Sequence, residues 1–113
     1  MDEAEARALL ARAREEVAEQ LRDLGASFDD IVEASRDSNA DDEHDVEGVT
    51  IAATRSQVSA LIASARRRLV EVEAAERRLD DGTYGVCARC GATVPDARLQ
   101  ARPATPYCVT CAA

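Results

Sequence analysis

All four cysteines of this chain fall in its last quarter. They read Cys87-Ala-Arg-Cys90, then seventeen residues, then Cys108-Val-Thr-Cys111. Two C-x-x-C knuckles at this separation are the pattern of a structural zinc site with four thiolate ligands. Each knuckle sets two sulfurs on one face of a tight turn, and Gly91, free to adopt positive φ, follows the first. Cys87, Cys90, Cys108 and Cys111 are therefore the candidate ligands of one structural Zn²⁺. Four protein ligands leave no open position for substrate or activated water, so catalytic zinc is not expected.

The other uses of such cysteines fit less well. A rubredoxin-like iron site uses paired knuckles too, but the second pair lacks a following glycine and aromatic packing residues are scarce. A thioredoxin-like site needs one C-x-x-C in a βαβ setting, and none is present. Disulfides need an oxidising compartment. Met1 is followed by Asp2, Glu3 and Glu5, with no basic and then apolar leader, so a reducing, cytoplasmic location is expected.

Upstream, the composition suits long helices. Phe28, Tyr84 and Tyr107 are the three aromatics of 113 residues, too few for a conventional globular core. No apolar run approaches the ~18 residues of a membrane span, and no membrane association is expected. Leu10, Val17, Leu21, Leu24, Phe28 and Ile31 form an a/d-type seam within a helix over 3–35, with one gap near Arg14. Ile51, Val58, Ala65, Val72 and Leu79 recur every seven residues, with Ile62 and Leu69 between them, within a helix over 48–80. Gly82 is placed for a left-handed C-cap. Between the seams, residues 36–47 are rich in Asp, Ser and Asn, which favour turns. The expected fold is mainly α: a long antiparallel coiled-coil hairpin over 1–81 with an acidic tip at about 36–47, then a four-cysteine zinc finger over 82–113. Helices of this length extend about 50 Å. The same heptads would also serve a symmetric dimer.

Charge is unevenly placed. Residues 1–47 hold sixteen acids and five arginines, residues 48–81 five acids and six arginines, and residues 82–113 one acid and three arginines. Residues 29–47 hold nine of those acids against Arg36. A chain of net charge −8 is a poor candidate for wrapping DNA, whose affinity comes from neutralised phosphates. It suits a basic protein surface or channel better. Asp41, Asp42, Glu43, Asp45 and Glu47 read either as a solvated loop or as contacts to Mg²⁺ or to basic residues of a partner. His44, the single histidine, reads as an exposed loop residue or as a pH-sensitive contact. Arg66-Arg67-Arg68 and Arg77-Arg78 point to several faces of their helix, either as a solubilising surface or as contacts to an acidic partner. Arg89, Arg98 and Arg102 are placed to offset the −2 charge of a zinc tetrathiolate. No nucleophilic triad or phosphate loop is visible, and no enzyme is expected.

The segment Asp81-Gly-Thr-Tyr-Gly-Val-Cys87-Ala-Arg-Cys90-Gly, the stretch Val94-Pro-Asp-Ala-Arg98-Leu-Gln-Ala-Arg-Pro103, and Tyr107-Cys108-Val-Thr-Cys111 together resemble the zinc finger of the DksA/TraR family. The likeness extends more loosely over the acidic-tipped helices. It implies a bacterial regulator that binds RNA polymerase, with the coiled coil in the secondary channel and the tip near the catalytic Mg²⁺. The family's tip motif, D-x-x-D-x-A, maps onto Asp42 and Asp45, with Glu47 in the alanine position. The resemblance also raises guanosine tetraphosphate as a ligand. Arg102 matches a basic position of that site and Arg98 lies beside it as a partner or nucleotide contact, while Glu71 and Ala112 replace basic residues. The helix that follows the finger in the family has no counterpart after Cys111.

Two other readings remain. One is a zinc-capped coiled-coil protein–protein adaptor that does not act on polymerase. The other is a GATA-like DNA-binding module, which lacks a basic recognition helix after the finger; direct sequence-specific DNA binding is not expected.

Overall fold

The computed structural model describes the backbone of residues 1–40 and 45–112, and the side chains of residues 1–33 and 50–112. Among the described residues three helices are present: α1 (Glu3–Ala40), α2 (Asp45–Asp81) and the short α3 (Asp96–Ala101). Among the described residues there is no strand beyond an isolated antiparallel bridge between Val86 and Thr93. The fold is mainly α, two long antiparallel helices packed together with a small four-cysteine finger.

Both long helices exceed their sequence-based bounds. α1 runs on to Ala40 and α2 begins at Asp45, so residues read as a turn are helical. The reason is energetic: Asp, Ser and Asn each cost only a few tenths of a kcal/mol in a helix. The true breakers, Gly and Pro, are absent between Gly25 and Gly48. At the start of α1, Asp2 accepts from the Glu5 N–H through its side chain at 2.8 Å and from the Ala6 N–H through its carbonyl at 3.1 Å. At the end of α2, Gly82 takes the expected left-handed conformation, φ 78°. The Arg78 carbonyl there accepts from Thr83 and Tyr84 N–H, at 2.9 and 3.2 Å.

The chain forms two compact units. One comprises Met1–Val17 with Arg68–Ala113, the other Ala18–Arg67. In the first, Arg7 of α1 meets Asp80 of α2, and Arg14 meets Glu76, which makes the two segments antiparallel neighbours. Their seam contains Ala6, Leu10, Val17, Val72 and Ala75, all buried. Ala6 and Ala75 extend the heptads at positions that alanine's weak hydropathy hides. Ala75 is fully buried, so the helices approach closely there, and Leu10, 1% exposed, supplies bulk. Burying one such leucine is worth about 1.5–3 kcal/mol. In the second unit Ala65 is fully buried. Leu21, Leu24, Phe28, Val58 and Ile62 are half-buried there.

The finger packs within the first unit. Its buried cluster is Cys87, Val94 and Leu99, flanked by Met1, Tyr84 and Tyr107. The Met1 side chain is 3% exposed, and its amino group donates to Asp96 at 2.7 Å. No helix among the described residues is long and apolar enough to cross a membrane.

Candidate metal centre

The first knuckle follows a short turn built on the Val86–Thr93 bridge. Cys87 N–H donates to the Ala92 carbonyl at 2.8 Å and Val94 N–H to the Gly85 carbonyl at 2.8 Å. Gly91 N–H returns to the Cys87 carbonyl at 2.9 Å, and Gly91 adopts φ 76°, the positive value its place after the knuckle calls for. The second knuckle closes similarly, with Cys111 and Ala112 N–H donating to the Cys108 carbonyl at 3.2 and 3.0 Å. Ala88 N–H donates to the Pro106 carbonyl at 2.8 Å and ties the two knuckles together.

These local structures bring the four predicted ligands into one cluster. The ligand sulfurs of Cys87, Cys90, Cys108 and Cys111 all lie within 4.8 Å of one another. Four sulfurs placed tetrahedrally about 2.3 Å from a common centre would stand about 3.8 Å apart. The Cys90 and Cys108 sulfurs are 3.7 Å apart, far beyond a disulfide bond, and all four cysteines are free thiols in this structure. Backbone N–H donors, Cys108 foremost and then Cys90, hold the Cys87 thiol down to about 5. The Cys111 thiol is pushed up to about 12, first by its hydrogen bond with Cys108 and then by desolvation. The four cysteines are positioned to hold one structural zinc.

The residues that hold the ligands in place were less visible in sequence. Residues 103–111 have no regular structure, and Pro103 and Pro106 bring no N–H. Their carbonyls are met from outside. Tyr84 Oη donates to Pro103 at 2.7 Å, Arg78 Nη2 to Ala104 at 3.3 Å, Arg98 Nε to Tyr107 at 2.9 Å and Arg89 Nη1 to Cys111 at 3.4 Å. The Thr105 hydroxyl donates to the Tyr107 carbonyl at 3.1 Å and accepts from Tyr107 N–H at 3.3 Å. Burial lowers the Arg78 pKa from its ordinary value and raises that of Tyr84.

Other sequence candidates fare differently. Arg98 is half-buried and engaged inside the finger, while Arg102 is exposed. Asp42 and His44 lie outside the described residues. Asp45 and Glu47 belong to the backbone of α2, but their side chains are not described. The structure thus assembles the metal ligands and leaves the acidic candidates to sequence reasoning.

Comparisons with known proteins agree with this geometry. Residues 82–113 match the prokaryotic dksA/traR C4-type zinc finger. A protein of Aquifex aeolicus (strain VF5) described only as uncharacterised is 48% identical over 44 residues, 39% of this chain and 30% of the relative. The aligned stretch thus spans about a third of that relative. The solved structure of transcription factor DksA2 from Pseudomonas aeruginosa aligns over 97% of this chain and 85% of its own, with TM-score 0.56 and 22% identity. At that identity the likeness is one of fold.

Proposed function

We propose that this chain, whose residues 82–113 form a DksA/TraR-type C4 zinc finger, is a cytoplasmic bacterial transcription regulator that binds RNA polymerase. Residues 1–81 act as an arm carrying acids at about 36–47, and residues 82–113 act as its metal-held base. The observation that carries the reading is the pairing of a family-specific finger with a DksA2-like fold over nearly the whole chain. The arm enters the secondary channel, where Asp42 and Asp45 act near the active-site entrance and modulate initiation complexes. Charge placement supports this. Residues 29–47 hold nine acids and one arginine, while residues 48–113 are nearly balanced. Two unit charges 4 Å apart interact by about 1 kcal/mol in water but about 4 kcal/mol where the effective dielectric constant is near 20. Acids confined beside basic residues and Mg²⁺ thus act more strongly than the same acids on an open surface.

Glu47 adds charge and bulk beside Asp45, which would alter the effect on initiation more than the binding. Arg102, exposed on the finger, is available to a partner or to guanosine tetraphosphate, whereas Arg98 is committed internally. Binding is tested by salt-dependent capture of core RNA polymerase by the purified zinc-loaded protein. Action is tested with the double variant Asp42→Asn with Asp45→Asn in run-off transcription. Retained capture with a lost transcriptional effect is expected. No capture would favour an adaptor for another partner, and an unchanged transcriptional effect would make the acids a solvated loop.

A further inference from the structure

Arg78, Arg89 and Arg98 approach the second half of the finger, and the partners the structure gives their guanidiniums are uncharged. Arg98 reaches the Tyr107 carbonyl at 2.9 Å with Nε and the Thr105 hydroxyl at 3.4 Å with Nη2. Arg89 reaches the Cys111 carbonyl at 3.4 Å, and its guanidinium carbon lies 5.3 Å from the centre of the Tyr107 ring. Arg78 reaches the Ala104 carbonyl at 3.3 Å from the end of α2. Ion pairs are made by Met1, Arg7 and Arg14 instead. Among the described residues none of the ion pairs engages these three guanidiniums, and a cation without a paired anion calls for a counter-charge nearby.

The finger supplies that counter-charge once it holds metal. Residues 82–113 carry three arginines and one acid, formally +2 with the thiols protonated. Four thiolates around one Zn²⁺ contribute −2, so the loaded finger is neutral, with Arg78 adding one positive charge from α2. The geometry is as specific as the charge. The Arg98 bond fixes the peptide that joins Tyr107 to Cys108, and the Arg89 bond fixes the carbonyl of Cys111, so the two ligands of the second knuckle are held from outside their own turn.

On this ground we propose that Arg98, assisted by Arg89 and Arg78, is a positioning residue for the metal. It sets the orientation of the second knuckle through its bonds to Tyr107 and Thr105, while the charge of the tetrathiolate is balanced by the finger's arginines together. Arg102, which the R-L-x-A-R-P stretch presents beside it in sequence, shares in the formal charge but braces neither knuckle: its side chain is exposed, and among the described residues its backbone is what is engaged, through its N–H to the Arg98 carbonyl and its carbonyl to the Thr105 N–H. The proposal rests on the zinc reading of the four cysteines, and the experiment separates the two.

Full-length protein is loaded with one Zn²⁺, and its affinity is measured by competition with a chromophoric chelator. Helix content by circular dichroism controls for folding. Failure of the unaltered protein to bind zinc would overturn the metal reading itself. Partners that orient metal ligands contribute about 10–100-fold to affinity, so Arg98→Gln is expected to weaken zinc binding by about that factor. Arg98→Lys keeps the charge but not the two-point bond, and should recover part of the loss. Arg102→Gln removes the same charge from the same segment without removing a brace, and its zinc affinity should stay within about twofold. Cobalt-loaded Arg98→Gln should show altered visible d–d bands, which report the tetrahedral ligand field. Unchanged affinity in Arg98→Gln overturns the proposal, as does an equal loss in Arg102→Gln, which would reduce the effect to overall charge. If Arg98→Gln does not fold, Arg89→Gln decides: its exposed side chain can be shortened without opening the buried cluster. A loss toward the lower end of the about 10–100-fold range is expected there, and none would overturn the role.

Discussion

Arg14 of α1 bridges to Glu76 of α2, with Nη2 at 2.5 Å and Nε at 3.2 Å from the same carboxylate oxygen. Position 14 is where the apolar repeat of α1 has its gap. An ion pair thus flanks the seam where a leucine would ordinarily fill it. The two side chains remain 46% and 33% exposed, so water and salt screen the attraction. A double-mutant cycle with Arg14→Gln and Glu76→Gln should return a coupling of about 0.2–1 kcal/mol that shrinks in high salt. A coupling above about 2 kcal/mol, insensitive to salt, would mean the pair is far more desolvated than its exposure indicates.

The legible parts of this fold share one property: the residue's own chemistry carries the signal. Leu10, Val17, Val72 and the seven-residue recurrence through Ala65 named a seam that the structure buries. The cysteines named a metal site because thiolates at that spacing do little else. Ala6 and Ala75 were missed because alanine contributes almost no hydropathy contrast, although close helix approach selects for it. Arg98 was read as a counter-charge to the tetrathiolate and as a partner or nucleotide contact; its brace on Tyr107 was missed because its partner there is a backbone carbonyl, a group every residue carries, so no pattern of letters points to it. Residues 36–40 were read as a turn because their composition favours turns, but weak propensities added over a few residues did not outweigh continuation of an established helix.

Gly25 sits inside α1 with nothing within 4 Å of where a Cβ would stand. A methyl group there meets no obstacle and reduces the backbone freedom of the unfolded chain. Gly25→Ala should therefore raise stability by about 0.5–1 kcal/mol, read as a higher midpoint in urea with unchanged slope. A lower midpoint would show that the helix needs the glycine, as a bend or for a close approach.

Tyr84 offers a test by pH. Its hydroxyl donates to the Pro103 carbonyl at 2.7 Å, and burial lifts its pKa above the ordinary 10.0. A phenol whose folded pKa is raised adds stability that is fully present below pH 10 and is lost as pH climbs through the folded value. Zinc-loaded Tyr84→Phe should be less stable by about 1 kcal/mol at neutral pH, the usual worth of one such hydrogen bond. Its deficit should narrow in the alkaline range. A deficit that stays constant, or grows, above pH 10 would assign the effect to packing rather than to the hydroxyl.

Removing the metal should take down the finger and spare the helical segments of the other compact unit. The finger's buried cluster has two apolar side chains besides a cysteine, Val94 and Leu99. At about 1.5–3 kcal/mol each, they are outweighed by the about 10–16 kcal/mol typical of a structural zinc. The ligands bind as thiolates, so protons compete with the ion and metal retention should fall as pH is lowered, while a strong chelator should act at neutral pH. Hydrogen exchange gives the local readout. The amides of Cys87, Ala88, Gly91 and Val94, bonded to the carbonyls of Ala92, Pro106, Cys87 and Gly85, should lose protection on chelation. Amides of α2 around Ala65, in the other compact unit, should keep theirs. The six residues of α3 are the helix most at risk, so the far-ultraviolet signal should drop only slightly. Persistence of the four finger amides after complete metal removal would show that the arginine and tyrosine bonds to residues 103–111 hold the finger unaided, and that zinc is a passenger in a fold it does not make.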